Sequence, residues 1–286
     1  MPPLTEIVGM LQSKASRVGV LVFFLISAVA PMHGAAAFDH GYGRWDTLLK
    51  RSVVVSDDGT RSAVKYGSLK AERAQLARVL DDLSSVSAAD YGSWDRSTQL
   101  AFLINAYNAF TIELVLTRYP ELGSIKDIGG LFGSPWKQAF IPLLGRTISL
   151  DDLEHGIIRQ PGIFNEPRIH VAVVCASIGC PMLRPEAYRP DRLDAQLEDA
   201  MRRFLSDRTR NRHDAGTNTL HVSRIFDWYR GDFEATGQDR SSLNAYLSAY
   251  AGALAENEAA GRKIRSGDFA IRFLKYDWRL NDYKAP

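Results

Sequence analysis

The sequence predicts a helix-rich α+β fold, built as a single domain with a small, mostly antiparallel sheet. Apolar residues recur at helical spacing over several long stretches, whereas the runs with β-like composition are short and lie apart. Few strand–helix–strand units appear, so the parallel sheet of an α/β fold is not indicated. The sequence also contains no internal repeat and no low-complexity linker, which leaves one packed domain as the simplest architecture.

Helices are predicted where apolar side chains return every three or four residues. The strongest pattern begins near Ser97 and ends before Pro120, with Leu100, Leu103 and Ile104 on its buried face. A helix ends before a proline because the proline ring clashes with the preceding turn and the residue lacks an N–H donor. The same spacing predicts further helices over 71–86, 151–159, 191–205, 224–233 and 240–256.

The predicted strands are short runs in which β-branched residues are frequent. Residues 52–55 form one such run, and residues 140–148 read as a hairpin that turns near Gly145. Residues 169–174 are mostly β-branched and are predicted to form a buried strand. A Gly- and Asn-rich turn and two more strands are predicted over 211–219, 220–222 and 269–274.

The first 37 residues have the three parts of a secretory signal peptide. Lys14 and Arg17 precede an apolar run over 18–30, and small residues follow up to Ala37. The apolar run is too short to cross a bilayer of about 30 Å as a helix. We therefore expect cleavage near Ala37, a periplasmic or secreted mature protein, and no stable membrane insertion after cleavage.

The remaining chain is expected to comprise an N-terminal extension over 38–90, packed on a main domain over 91–286. The formal net charge is +2 with both signs interspersed, so no nucleic-acid partner is expected. No histidine, cysteine or carboxylate pattern has metal-ligand spacing, and no glycine-rich phosphate loop appears. We therefore predict no metal and no cofactor, and the expected partner is an unidentified small molecule or protein.

The densest run of reactive side chains lies around the predicted strand at 169–174. His170 lies near the start of that strand and Cys175 follows its end, and Cys180 is the second of two cysteines in the chain. Side chains at a strand end are held by a rigid element while the following turn exposes backbone N–H groups. This segment is therefore the first candidate for a functional site.

Several blocks of residues together resemble one known family. The blocks are Asn105-Ala106-Tyr107-Asn108, Leu153-Glu154-His155-Gly156, Pro167-Arg168-Ile169-His170, Cys175-Ala176-Ser177, Cys180-Pro181 and Tyr276-Asp277-Trp278-Arg279-Leu280-Asn281. Over about residues 95–283 the chain resembles the domain-of-unknown-function family 547. The resemblance implies a bacterial-type domain that is often exported. Members joined to glutaredoxin-like modules hint at thiol chemistry by association alone.

One hypothesis for the site is a thiol-dependent hydrolase or acyl-transferase with Cys175 as the nucleophile. A cysteine thiolate forms near neutral pH only when a neighbouring imidazole or N–H dipole lowers the thiol pKa. His155 or His170 would serve as the base, with Glu154 or Asn108 orienting the ring. In a regular strand His170 and Cys175 would point to opposite faces, so His155 is the preferred base.

The alternative is a structural Cys175–Cys180 disulfide in an oxidising compartment, which would leave a module that binds a ligand or partner without catalysis. A redox-active pair is a third possibility, although the spacing differs from the usual C-x-x-C. The backbone amides of residues 175–177 would form an oxyanion site in the enzyme hypothesis, and Ser177 is a binding candidate there.

Three other polar residues of the matching blocks are candidates for binding. Asn105 and Asn108 are one helical turn apart and either line a polar pocket or bond the backbone of the irregular segment 121–137. Arg168 either binds substrate or pairs with Glu154. Neighbouring residues on an α-helix diverge by about 100°, so Glu154 and His155 are not expected to face one small site squarely.

Overall fold

Helices form most of the fold, and the strands are short. The computed structural model describes residues 37–129, 133–235 and 242–284, so the predicted signal peptide lies outside the described residues except for Ala37. From Phe38 onward the chain forms one compact unit. The helix-rich α+β class predicted from the sequence is confirmed.

The described helices are α1 Gly43–Ser52, α2 Tyr66–Ala71, α3 Arg73–Ser84, α4 Ala88–Ser93, α5 Arg96–Leu116, α6 Leu193–Ser206, α7 Ile225–Trp228, α8 Arg230–Glu234, α9 Leu243–Ala249, α10 Ala251–Leu254 and α11 Glu258–Arg265. Short 3₁₀ helices occur at Ile125–Gly129, Pro135–Lys137, Pro167–Val171 and Pro190–Arg192, and a π-helix spans Asp152–Ile158.

The strands are β1 Val53–Val55, β2 Ser62–Val64, β3 Ile141–Leu143, β4 Arg146–Ile148, β5 Arg212–Asp214, β6 Thr219–Val222 and β7 Ala270–Phe273. They form small separate sheets and not the one sheet that was predicted. β1 pairs with β2 and β3 with β4, both antiparallel, with Ile141 opposite Ile148 in the second pair. β6 lies between antiparallel β5 and parallel β7.

Helix α5 is the central helix of the core. Asp95 caps it by accepting a 2.8 Å hydrogen bond from the Thr98 N–H, and nearly every side chain from Thr98 to Leu116 is buried. By length and composition alone the helix could cross a membrane, but 94% of its most apolar window is buried inside the protein. A helix that is apolar on all sides and covered on all sides is a core helix.

Two hydrophobic clusters surround the helices. The larger contains α5 and the N-terminal helices, including Trp45 and Leu76, and the smaller contains Phe204, Phe226 and Phe233. The predicted hairpin is confirmed: Leu144 and Gly145 both have positive φ, 52° and 75°, as a two-residue turn of type I′ requires. The hairpin leads directly into the π-helix that carries part of the site.

The predicted strand at 169–174 is wrong. Residues Pro167–Val171 form a 3₁₀ helix, because Pro167 favours the first helical position and the Glu166 side chain caps it by accepting from the Arg168 N–H at 3.0 Å. The apolar composition did identify a buried segment, since Ile169 and Val171 are at most 3% exposed. Burial alone does not distinguish a short helix from a strand.

The helices of the C-terminal third are shorter than predicted. The helix predicted over 224–233 is two short helices that meet at Tyr229, and that over 240–256 is interrupted at Tyr250. Helix α11 was missed, and so was β5 inside the predicted turn at 211–219. These elements are short, so tertiary packing decides their bounds more than local periodicity does.

Candidate functional site

A cavity of about 280 Å³ opens where the two hydrophobic clusters meet. This volume is at the lower end of the range of small-molecule sites. The cavity combines ionisable side chains, two cysteines and a large aromatic surface. Its lining residues are Tyr107, Ser134, Trp136, Asp151, Glu154, His155, His170, Val173, Cys175, Cys180, Ile225, Trp228, Tyr229, Tyr276 and Trp278.

The Cys175 sulfur lies within hydrogen-bonding distance of three polar side-chain groups. The Cys180 sulfur is 3.0 Å away, the Tyr276 hydroxyl 3.1 Å and the Ser177 hydroxyl 3.2 Å. The hydrogen bond from Cys180, supported by those from Ser177 and Tyr276, outweighs burial and lowers the pKa of Cys175 to about 7. Ionisation of this thiol is therefore favoured relative to an ordinary cysteine, and Cys175 is the more exposed of the two cysteines.

Cys180 has the opposite character. Its side chain is buried, and burial together with the neighbouring Cys175 sulfur raises its pKa well above the usual value. The Cys175 N–H also donates to the Cys180 sulfur at 2.9 Å. Both cysteines are free thiols in the structure. The pair therefore combines one ionisable, accessible sulfur with one buried thiol that donates to it.

The C-terminal segment holds the cysteine turn in place. The Ile178 N–H donates to the Arg279 carbonyl and the Gly179 N–H to the Asp277 carbonyl, both at 2.8 Å. A Cβ at Gly179 would lie 2.9 Å from the Asp277 nitrogen, so the close approach of these backbones requires glycine. This contact explains why a block near residue 277 accompanies the cysteine block in the sequence.

Glu154 and His155 both line the cavity, contrary to the expectation that they diverge too far. They lie in the π-helix, where the Arg159 N–H donates to the Glu154 carbonyl five residues earlier at 2.8 Å. A π turn holds more residues than an α turn, so successive side chains diverge less. The Tyr107 hydroxyl donates to one Glu154 oxygen, Oε2, at 3.1 Å.

The two histidines of the cavity have partners other than Cys175. Arg159 donates to Nδ1 of His155 at 2.5 Å, and the Nε2 atom of His170 lies 2.7 Å from Oδ2 of Asp232. His170 stacks on Tyr229 with ring centroids 3.8 Å apart, and burial lowers its pKa. Because residues 167–171 are not a strand, His170 and Cys175 line the same cavity.

Comparison with known proteins found a family match for the part of the chain that contains most of this site. Residues 91–205 match the family described as "Protein of unknown function, DUF547". The predicted resemblance to family 547 is thereby confirmed for this DUF547 region, which includes both cysteines. No curated protein and no solved structure matches the chain. The family description states no activity, so a function has to be argued from the cavity.

Within the DUF547 region, the two asparagines of α5 bond the backbone. Asn108 donates to the Ala172 carbonyl at 2.9 Å and accepts from the Val174 N–H at 3.0 Å. Asn105 makes the same pair of bonds to the backbone of Tyr188. Neither makes a hydrogen bond to the described residues of segment 121–137, the partner offered by one alternative, and neither is among the described residues that line the cavity. Asn108 instead holds the chain that leads to Cys175.

The predicted pairing of Arg168 with Glu154 is wrong. The Arg168 guanidinium bonds Glu166 and Asp194 and lies 3.6 Å from a carboxylate oxygen of Glu198. These acidic groups neutralise the guanidinium, and Arg168 is not among the described residues that line the cavity. Ser177 lies directly beside the sulfur of Cys175, so this predicted binding residue acts through the thiol.

Sequence reasoning missed the aromatic wall of the cavity. Trp228, Tyr229, Tyr276 and Trp278 line it, and the sequence analysis named none of them as a candidate site residue. Trp228 is 45% exposed, and its ring centroid is 4.9 Å from that of Tyr276. The block containing Tyr276 and Trp278 was a sequence signal for two of them. Among the described residues no group of three metal-ligating side chains is close enough to hold a metal ion.

Proposed function

We propose that the protein is a thiol-dependent hydrolase or acyl-transferase in which Cys175 is the nucleophile. The observation that supports this function is the Cys175 sulfur at the cavity wall, with a pKa lowered to about 7 by donors from Cys180, Ser177 and Tyr276. A thiolate, unlike a thiol, attacks acyl carbons readily. Export by the signal peptide at 1–37 into the periplasm or medium belongs to the same proposal.

In the proposed first step the Cys175 thiolate attacks the carbonyl carbon of an ester, thioester or amide. A carbon–sulfur bond forms and the carbonyl π electrons move to oxygen. The backbone N–H groups of Ala176 and Ser177 donate no hydrogen bond to any described residue, which supports their proposed role as donors to this oxyanion. Ala176 has a φ of 59°, an uncommon conformation for a residue with a side chain, which places this turn among the strained segments found at functional sites.

In this proposal His155 hydrogen-bonds the leaving group and does not activate the sulfur. Arg159 donates to its Nδ1, so the neutral ring carries its proton on Nε2. When the intermediate collapses, the carbon–heteroatom bond breaks and its electron pair stays on the leaving group, which accepts a hydrogen bond from Nε2 and takes a proton from a water molecule. In hydrolysis, the hydroxide left by that water adds to the acyl carbon and displaces the Cys175 thiolate.

A second function is favoured by one distance. The sulfurs of Cys175 and Cys180 are 3.0 Å apart, so a small shift would allow a disulfide after loss of two protons and two electrons to an external oxidant. The oxidised protein would be a binding module without a nucleophile. This is the alternative expected for an oxidising compartment.

Intact mass and thiol alkylation separate the two functions. Protein purified without reductant is treated with iodoacetamide between pH 5 and 9, before and after reduction. For the enzyme we expect one fast-reacting thiol whose rate rises with a midpoint near pH 7, absent in Cys175→Ser. A mass lower by the two hydrogens of a disulfide and no alkylation before reduction would exclude the nucleophile. The variant Cys180→Ala should keep a single reactive thiol but shift the midpoint upward, because the first of its three donors is removed.

A further inference from the structure

One carboxylate oxygen in the cavity has no partner. Glu154 is 7% exposed and its Oε2 atom accepts from Tyr107, and the Tyr229 hydroxyl also lies close enough to interact with this carboxylate. Its Oε1 atom accepts no hydrogen bond from a described residue. Removing a carboxylate from water without a compensating donor is costly. Because Glu154 also lines the cavity, the missing donor can come from a ligand bound there.

The charges around the cavity favour a cation. Asp151 and Glu154 line it, whereas no lysine or arginine is among its described lining residues. Arg159, which lies nearby, is paired with Asp232 through a 2.7 Å hydrogen bond and so contributes little net charge. A site with two carboxylates and no lining cation attracts a positively charged group.

Aromatic rings form another part of the lining. The centroid of Trp278 is 5.7 Å from that of Trp228, 4.5 Å from that of Tyr276 and 5.8 Å from that of Trp136. The Nζ atom of Lys126 lies 3.6 Å from the centroid of Trp278, so a side-chain cation already covers one face of this ring. Aromatic rings attract a cation over their faces, and their apolar surface packs against the carbons next to the cationic nitrogen.

We infer that the cavity binds a ligand with a primary ammonium group, whose N–H donates to Oε1 of Glu154 while its carbon skeleton packs on Trp228, Tyr276 and Trp278. The ammonium site is argued from the carboxylate and the rings alone. The orientation of the ligand's acyl group toward Cys175 rests on the proposed function. The substrate class is then an ester, thioester or amide that bears an amine.

Benzylamine and benzyl alcohol are a matched pair of probes, because they differ in charge and share the ring and carbon. Binding to the reduced full-length protein is followed by tryptophan fluorescence and by calorimetry at pH 7. We expect benzylamine to bind at least about tenfold more tightly than benzyl alcohol. Equal affinities, no saturable binding of either probe, or tighter binding of a neutral disaccharide would overturn the inference.

Glu154→Gln keeps the shape of the side chain and removes its charge. It should weaken benzylamine binding about tenfold and change benzyl alcohol binding less than about twofold. Glu258→Gln is the matched control, since that side chain is 86% exposed and on α11, outside the cavity lining. If Glu154→Gln alters the melting curve, Asp151→Asn is the second variant. We expect it to weaken benzylamine binding too, but by less than Glu154→Gln does.

Different experimental results would contradict the proposed function and the ammonium site. Cys175→Ser should bind benzylamine as the wild type does, because the sulfur is not part of the ammonium site. Benzylamine binding that depends on Glu154 in a protein without a reactive thiol would support the site and remove the catalytic proposal. A reactive thiol with benzylamine binding unchanged in Glu154→Gln would do the reverse.

Discussion

The two walls of the cavity differ in chemistry and in their place along the chain. The wall from the DUF547 region carries Cys175, His155 and Glu154, and buried hydrogen bonds hold its backbone. The wall from the later residues is aromatic, and its Trp228 is 45% exposed. Reactive groups need a fixed position, whereas a surface that receives a ligand has to stay uncovered. Tyr276 joins the two walls, because its hydroxyl reaches the Cys175 sulfur.

Apart from Glu154, whose change should alter ligand affinity, this contrast predicts that changes in the first wall alter reaction rate and stability. Changes in the second wall are expected to alter affinity. The largest effect is expected for Cys175→Ser, because a serine hydroxyl is not ionised near neutral pH. The rate on any p-nitrophenyl ester that the wild type cleaves should fall by at least about a hundredfold. A variant that keeps the wild-type rate with an unchanged melting temperature would show that another group is the nucleophile.

Asn108→Ala and Asn105→Ala are a matched pair on α5. Each removes two hydrogen bonds to buried backbone, so each should lower the free energy of unfolding in urea by about 2–4 kcal/mol. Only Asn108 holds the chain at Ala172 and Val174, so only Asn108→Ala should also slow alkylation of Cys175. Equal alkylation rates in the two folded variants would mean that the thiol does not depend on this support.

Asp232→Asn tests the ionic hydrogen bonds that the Asp232 carboxylate makes with His170 and Arg159. Partial burial opposes ionisation, but hydrogen bonds from His170 and Arg159 hold the pKa of Asp232 well below its usual range. A depressed carboxylate pKa stabilises the folded state above the unfolded pKa of about 4, and this stability is lost as pH falls toward the folded value.

At pH 7 we therefore expect Asp232→Asn to lower the free energy of unfolding by about 1 kcal/mol, since the carboxylate is one third exposed. The difference between the variant and the wild type should shrink at pH 3. Asp191→Asn, at a carboxylate 60% exposed, is the control and should change little at either pH. A difference that stays constant between pH 7 and pH 3 would contradict the ionic role.

A small change in stability is also expected for Trp228→Ala in the aromatic wall. Nearly half of this side chain is already in water, so the free energy of unfolding should fall by less than about 1.5 kcal/mol. The affinity for benzylamine should fall severalfold, with the alkylation rate of Cys175 unchanged. A variant that loses thiol reactivity instead would show that the two walls are not separable.

Features set by local sequence were predicted well. Helix α5 follows from its apolar spacing and the Asp95 cap, and the hairpin β3–β4 follows from Gly145 between two short apolar runs. Helices α3 and α6 also lie within two residues of the predicted bounds. Their patterns are long or contain a residue with a special backbone requirement, so local energies favour one conformation.

Contacts between residues that are far apart along the chain were predicted less well. The sequence identified Cys175, Glu154, His155 and His170, and all four line one cavity. Of its two alternatives for Arg168, the pairing with Glu154 is wrong, because charge complementarity in sequence does not show which acidic group is near in space. In the structure, Glu166 and Asp194 are nearer to Arg168.

The sequence by itself determined the fold class, the core helix and the residues able to do thiol chemistry, because periodicity and side-chain chemistry are local properties. Tertiary structure decided which thiol has the lowered pKa and which side chains contact it. Cys175 gains donors from Ser177, Cys180 and Tyr276, the last about a hundred residues away. A thiol pKa depends on the distances of its neighbours, and those distances arise only when segments remote along the chain pack together.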